Sequence, residues 1–157
     1  MSTHLDNKKN PKIVDISSKK ITKRSAKAIS IIKFSNNSFE KIKSLTTKKG
    51  SIENLAIIAG IAGAKKTSEL IPLCHNIFIE DVSIKIEILE KNSSIKIVSS
   101  VKSESKTGVE MEALTAVSIA SLTIYDMCKS IDKNIKITNI ELLEKKGGKS
   151  DYFKKLK

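Results

Sequence analysis

Residues Ile79 to Leu89 alternate in polarity, with Val82, Ile84, Ile86 and Ile88 on one face and Ser83, Lys85 and Glu87 on the other. A period of two predicts a strand with one buried and one wet face. Lys91-Asn92-Ser93 supplies a turn, and Ile95 to Val101 alternates again through Ile95, Ile97 and Ser99. The two runs predict an antiparallel hairpin. Ala28 to Phe34 is short, Ile-rich and reads as an earlier strand, and Ile135 to Leu143 reads as a last one.

The period changes between these strands. Ser38 is placed to cap a short helix carrying Phe39, Ile42 and Leu45 on one face. Gly50 interrupts the chain, and Ser51 is placed to cap a longer helix, with Glu53 in its first turn. That helix runs through Leu55, Ile58, Ile61 and Ala62 to about Ser68, before Pro72. Val109 to Ile131 predicts a third, long helix. The order is β, α, α, β, β, α, β. With the two early helices counted as one crossover, it predicts an α+β fold of the ferredoxin-like, split βαβ kind: a four-stranded antiparallel sheet with helices packed on one face. The long helix is apolar around much of its circumference, through Val109, Ala113, Ala116, Val117, Ile119, Ala120, Leu122, Ile124 and Met127. One sheet covers one face, so the pattern predicts a second surface supplied by another subunit.

No repeat or linker divides the chain. Residues 1–12 are polar and aperiodic and read as a disordered tail, 13–150 as one domain, and 151–157 as a short basic tail. At 157 residues with 39% apolar content the chain can build one core, and with 4% aromatics and no Trp that core is aliphatic. Cys74 and Cys128 make no disulfide framework and suit a reducing compartment. There is no apolar leader, and the run from Ala113 to Tyr125 is too short to span a bilayer, so a cytoplasmic protein without membrane partners is expected. The net charge of +12 favours anionic partners: nucleic acid, anionic membrane or a phosphorylated small molecule. Much of it is also what a Lys-rich surface would carry with no partner at all.

Polar residues on buried elements narrow the choice. Glu110, Glu112, Asp126 and Lys129 all lie on the apolar helix. Glu110 and Glu112 sit where the helix dipole favours carboxylates, and simple capping would explain them. Asp126 and Lys129, three apart, share a face. They are either a surface ion pair or a general acid/base with a phosphate- or proton-handling lysine. Glu112 and Asp126 differ by only about 40° around the helix but by about 21 Å along it. A ligand touching both is extended, or the two residues come from different subunits. Cys74 and His75 are adjacent in a Pro-fixed loop that also holds Lys65, Lys66 and Glu69. With no second pair at ligand spacing, no protein-held metal is expected. His75 reads as an anion-site or base-orienting residue, or as a loop His satisfied by backbone. Lys145-Lys146-Gly147-Gly148-Lys149-Ser150 looks like a P-loop ending, but the first glycine of that motif would fall at Leu143 and no helix follows. A basic loop able to approach an anion remains. The residues themselves point to an oligomeric enzyme acting on a phosphorylated compound, which they do not name.

Three strings carry a resemblance. Lys66-Thr67-Ser68-Glu69-Leu70-Ile71-Pro72-Leu73-Cys74-His75, Thr107-Gly108-Val109-Glu110-Met111-Glu112-Ala113-Leu114-Thr115-Ala116 and Leu122-Thr123-Ile124-Tyr125-Asp126-Met127-Cys128-Lys129 resemble the cyclic pyranopterin monophosphate synthase family of molybdenum-cofactor biosynthesis, and the likeness runs from Val14 to Ser150. The resemblance implies a ferredoxin-like subunit, a homohexamer built as a trimer of dimers, and active sites at subunit interfaces. It implies a lyase converting 3′,8-cyclo-7,8-dihydro-GTP to cyclic pyranopterin monophosphate with release of pyrophosphate. Asp126 and Lys129 match the family's catalytic pair. Leu73, Cys74, His75, Met111 and Glu112 match its substrate contacts. Arg24, Lys49, Lys65, Lys66, Glu110 and Lys145 match supporting charged positions. No cofactor is required by it, and Mg²⁺ would come bound to the substrate triphosphate.

Four positions depart from the family pattern. Ile57 stands at a usual Arg, Asn76 at a Pro, Lys27 at an Arg, and Lys146 at a small polar residue. Two rival readings are a basic nucleic-acid-binding module and an inactive structural oligomer. The wet strand faces carry Ser, Lys and Glu rather than base-stacking aromatics, which argues against the first. The retained Asp126, Lys129 and His75 argue against the second.

Overall fold

The computed structural model describes residues 4–6, 8–43, 46–47 and 50–155. The main sheet has five strands: β1 (Thr22–Lys33), β4 (Asp81–Leu89), β5 (Ser94–Ser105), β6 (Lys136–Lys146) and β7 (Tyr152–Phe153), in the order β4-β5-β1-β6-β7. Every pairing is antiparallel. Without β7 this is the order expected of the split βαβ fold. Thr46–Thr47 (β2) and Gly50–Ser51 (β3) form a separate two-stranded ribbon. The helices are α1 (Asn36–Lys43), α2 (Ile52–Lys65), α3 (Thr67–Leu70) and α4 (Glu110–Cys128).

The alternating patterns lie where expected. On β4, Ile84 is buried, Val82, Ile86 and Ile88 are half-buried, and Ser83, Lys85 and Glu87 are exposed. The turn into β5 needs a left-handed residue, and Ser93 takes φ 44° there. Ser51 caps α2 as its sequence predicts: it is extended, and its hydroxyl accepts from the Asn54 N–H at 3.1 Å. Ser38 does not cap α1, which begins at Asn36. The preceding Ser35 takes that place, its carbonyl accepting from the Ser38 and Phe39 N–H groups. Asp132, 3% exposed, anchors this corner by accepting from the Ser35 N–H and hydroxyl and from the Asn134 N–H. Leu45, expected on the same helix face, lies outside the described residues.

Two further differences matter more. The sheet gains β7, because Tyr152 and Phe153 pair with Lys145 and Glu144. Lys146 holds that addition, with its ammonium 5.1 Å from the Phe153 ring centre. The second apolar side of α4 is also covered from within the chain. One side packs on β1, β5 and β6 and another on α2, while Leu122 on the same helix stays 55% exposed. The approach of α2 is close because its contact residues are glycines. A Cβ on Gly60 would come 2.8 Å from the Ala116 carbonyl oxygen, and one on Gly63 would come 2.7 Å from Ile119 Cγ1. Hydroxyls on α4 are satisfied locally: Ser118, Ser121 and Thr123 each donate to the carbonyl four residues back. Ser99 donates to the Ala113 carbonyl at 2.7 Å, fixing α4 to β5. Ile32, Phe39, Ile97, Val101, Val109, Val117 and Ile124 form the buried centre, which is mainly aliphatic.

Candidate functional site

Two clefts meet at the N-terminal end of α4. The first, about 410 Å³, is basic. Lys19 and Lys20 reach it from the segment before β1, Arg24 from β1, Lys106 from the loop before α4, and Lys145, Lys146 and Lys149 from the end of β6. These seven cations face one carboxylate, Glu110, which pairs with Lys145 at 3.2 Å. Such a concentration of positive charge is a site for a polyanion. The loop closing it depends on Gly147, whose φ is +85° and where a Cβ would fall on the Lys23 carbonyl oxygen. Its N–H is held by the Asp151 carboxylate at 3.0 Å. The Arg24 Nε is buried with no hydrogen-bond partner among the described residues, so its guanidinium is not spent on the protein at that nitrogen.

The second cleft, about 310 Å³, shares Thr107, Gly108 and Glu110 with the first and is otherwise lined by His4, Leu73, Cys74, His75, Ile77, Met111 and Glu112. His75 Nε2–H donates to the Val14 carbonyl at 2.7 Å, which settles the ring and ties the loop to the N-terminal segment. Within that segment the Asp6 carboxylate accepts from the Lys8 and Asn10 N–H groups, and Leu5 bridges to Pro11. Glu112 is 3% exposed. Burial first, and the charge of Glu110 second, push its carboxyl up to about 7 against the effect of its own backbone N–H. Cys74 is pushed up by burial and then by Glu112, so it stays a thiol and is a poor nucleophile. Burial pushes Cys128 up to about 11 in the core.

Not all residues singled out from the sequence converge. Leu73, Cys74, His75, Met111 and Glu112 share the neutral cleft, and Arg24, Glu110 and Lys145 share the basic one. Asp126 and Lys129 lie at the other end of α4 as an ion pair of 2.7 Å, their side chains 68% and 61% exposed. The Asp126 carboxylate accepts from Lys129 and holds the ammonium above its ordinary range. Lys65 and Lys66 are exposed where α2 ends, and Lys49 lies outside the described residues. Lys19, Lys20 and Lys106 were not singled out, and Lys149 only as part of the basic loop after β6. Each sits in a Lys-rich stretch, and nothing in the sequence says that these stretches meet. Among the described residues no three His, Cys, Asp or Glu side chains cluster as a metal site.

The departures have local accounts. Ile57 packs against the core. Lys27 and Lys146 both pair with Glu144, at 3.5 and 3.2 Å. Asn76 is exposed beside His75. Among the described residues no helix is long and apolar enough to cross a membrane.

The MoaC family model matches residues 13–148. A protein of Campylobacter lari named cyclic pyranopterin monophosphate synthase is 54% identical over 151 residues, covering 96% of each chain. Proteins of the same name from Campylobacter jejuni subsp. doylei and Campylobacter jejuni are 51% and 52% identical, again over 96% of each chain. The match takes in both clefts apart from Lys149 and His4, together with the Asp126–Lys129 pair, and the chain belongs to the MoaC family.

Proposed function

We propose that the protein is a lyase of molybdenum-cofactor biosynthesis that converts 3′,8-cyclo-7,8-dihydro-GTP to cyclic pyranopterin monophosphate and pyrophosphate. The observation that carries this reading is the join of the two clefts. One suits a triphosphate, the next suits a neutral ring system beside a carboxyl near its titration point, and the relatives bear the corresponding name. A ribose-derived hydroxyl forms a bond to the α-phosphorus, the bond from that phosphorus to the β-phosphate oxygen breaks, and pyrophosphate leaves. Arg24, Lys145 and their neighbours neutralise the leaving charge and hold the chain in line. Asp126 takes or gives protons during the purine-to-pterin rearrangement, with Lys129 beside it.

Asp126 reaches this substrate from a neighbouring subunit, because about 21 Å of helix separates it from Glu112 within one chain. A homohexamer built as a trimer of dimers supplies that neighbour. Lys49, Lys65 and Lys66 complete the charged surround. Residues 13–150 are the catalytic domain, working in the cytoplasm without a resident cofactor, and any Mg²⁺ arrives on the triphosphate.

Turnover tests the reading. Purified protein given 3′,8-cyclo-7,8-dihydro-GTP should release cyclic pyranopterin monophosphate and pyrophosphate in equal amounts. A folded, oligomeric protein that releases neither refutes it.

A further inference from the structure

Strand β7 is a two-residue addition whose side chains, Tyr152 and Phe153, both stay exposed, so it adds almost nothing to the core. Its contacts converge instead on the end of β6 and the turn that follows. Tyr152 and Phe153 pair with Lys145 and Glu144, and the Lys154 N–H donates to the Leu143 carbonyl at 2.8 Å. The Lys154 ammonium pairs with Glu141. The Lys146 ammonium lies over the Phe153 ring while it pairs with Glu144. Asp151 closes the turn by accepting the Gly147 N–H at 3.0 Å, and the Thr22 hydroxyl donates to the Gly147 carbonyl at 2.9 Å.

The turn held in this way is one wall of the basic cleft. Gly148 passes so close to Arg24 that a Cβ there would come 2.9 Å from Nη1, so the path of the turn limits where the guanidinium can sit. Lys149 follows and lines the cleft, with no ion-pair partner among the described residues. Two consecutive glycines make such a turn costly to order. If it were loose, every polyanion that bound Lys149 would have to order it first, at the expense of affinity.

We propose that residues Asp151 to Lys154 are a clip that sets the Gly147–Ser150 turn in advance, so that Lys149 and Arg24 meet the phosphates already in place. Asp151 is the positioning residue of this clip and acts through the Gly147 N–H. The proposal rests on the function given above, which makes the anion a triphosphate. The opposite arrangement, a carboxylate that occupies an amide which a phosphate would otherwise use, predicts the opposite sign for its removal.

Calorimetry on the full chain with inorganic tripolyphosphate separates the two. Asp151→Ala should weaken binding about fivefold, and Asp151→Asn, which keeps an acceptor oxygen, should bring it back to within about twofold. Lys149→Ala should weaken binding by itself, and on that background Asp151→Ala should cost less than about twofold, because the two residues act as one unit. In turnover of the cyclised nucleotide, Asp151→Ala should raise KM about fivefold and leave kcat within about twofold, as expected when a hold on the phosphates is lost equally before and during reaction. Tighter binding in Asp151→Ala overturns the proposal, as does a cost that persists in full without Lys149. Unchanged affinity with a lowered melting temperature overturns it too, and makes β7 a structural edge only. A wild type that does not bind tripolyphosphate also overturns it. Normal turnover with unchanged KM in Asp151→Ala would remove the clip and leave the function standing. The expected tripolyphosphate pattern without wild-type turnover would do the reverse.

Discussion

The two ends of α4 carry carboxylates in opposite circumstances. At the N-terminal end Glu112 is 3% exposed, enclosed by the Leu73–His75 loop, and pushed up to about 7. At the C-terminal end Asp126 is two-thirds exposed and in an ion pair with Lys129. The same helix therefore offers an enclosed cleft at one end and an exposed ion pair at the other. On the function proposed above, one chain builds the part of the site that recognises, and the part that reacts would gain low-dielectric surroundings when another subunit closes over it.

The largest expected effect tests whether the two ends serve one site across a subunit boundary. Asp126→Asn should lower turnover by about 10³-fold. Mixing it, through dissociation and reassembly, with an inactive Glu112→Ala chain should restore about a quarter of wild-type activity, since some interfaces then carry neither change. No recovery in a verified mixed oligomer would place both residues in one subunit's site.

Next in size is the pH dependence of stability at the buried end. Between its ordinary value of 4.5 and about 7, folded Glu112 keeps a proton that the unfolded chain gives up. This group thus makes stability fall as pH rises through that window and level off above it. The drop is about 3 kcal/mol if Glu112 acts alone. Glu112→Gln should flatten that fall in denaturant titrations from pH 5 to 8, whereas Asp126→Asn should leave it in place. A smaller effect belongs to the corner below the exposed pair. Ser35→Ala removes a 2.9 Å hydrogen bond to buried Asp132 and should cost about 1 kcal/mol in the same titrations. The smallest effect on stability is that of Lys129→Ala, which should leave the melting temperature unchanged, because an exposed pair contributes little to folding. A clear loss of stability there would mean that Lys129 is structural.

The legible part of the fold was the part with a strict period or a local chemical signal. The β4–β5 hairpin could be read because alternation is a property of neighbouring residues, and the start of α2 because Ser51 satisfies an N–H only three positions away. The start of α1 was misplaced because Ser35 and Ser38 carry the same capping chemistry, and Asp132 decides between them from almost a hundred residues away. β7 was missed because two residues have no period, and the strand exists through its pairing with β6 and the Lys146–Phe153 contact. The all-round apolar α4 is covered on a second side by α2, while Leu122 remains exposed. Gly60 and Gly63 permit that approach, and a sequence lists glycines without saying what lies opposite them.

The same division runs through the site. The sequence alone determined which residue types are present: the acidic pair at the start of α4, the Asp126–Lys129 spacing, the Leu73-Cys74-His75 loop and the basic run after β6, each set by positions a few residues apart. Only the tertiary structure decided that Lys19, Lys20, Arg24, Lys106, Lys145 and Lys149 share one cleft, that Glu112 lies beside it with an unmet oxygen, and that Asp126 does not. Periodicity and spacing are short-range properties of a chain. Field strength, desolvation and an unpaired buried atom depend on what distant segments bring together, and they exist only once the chain has folded.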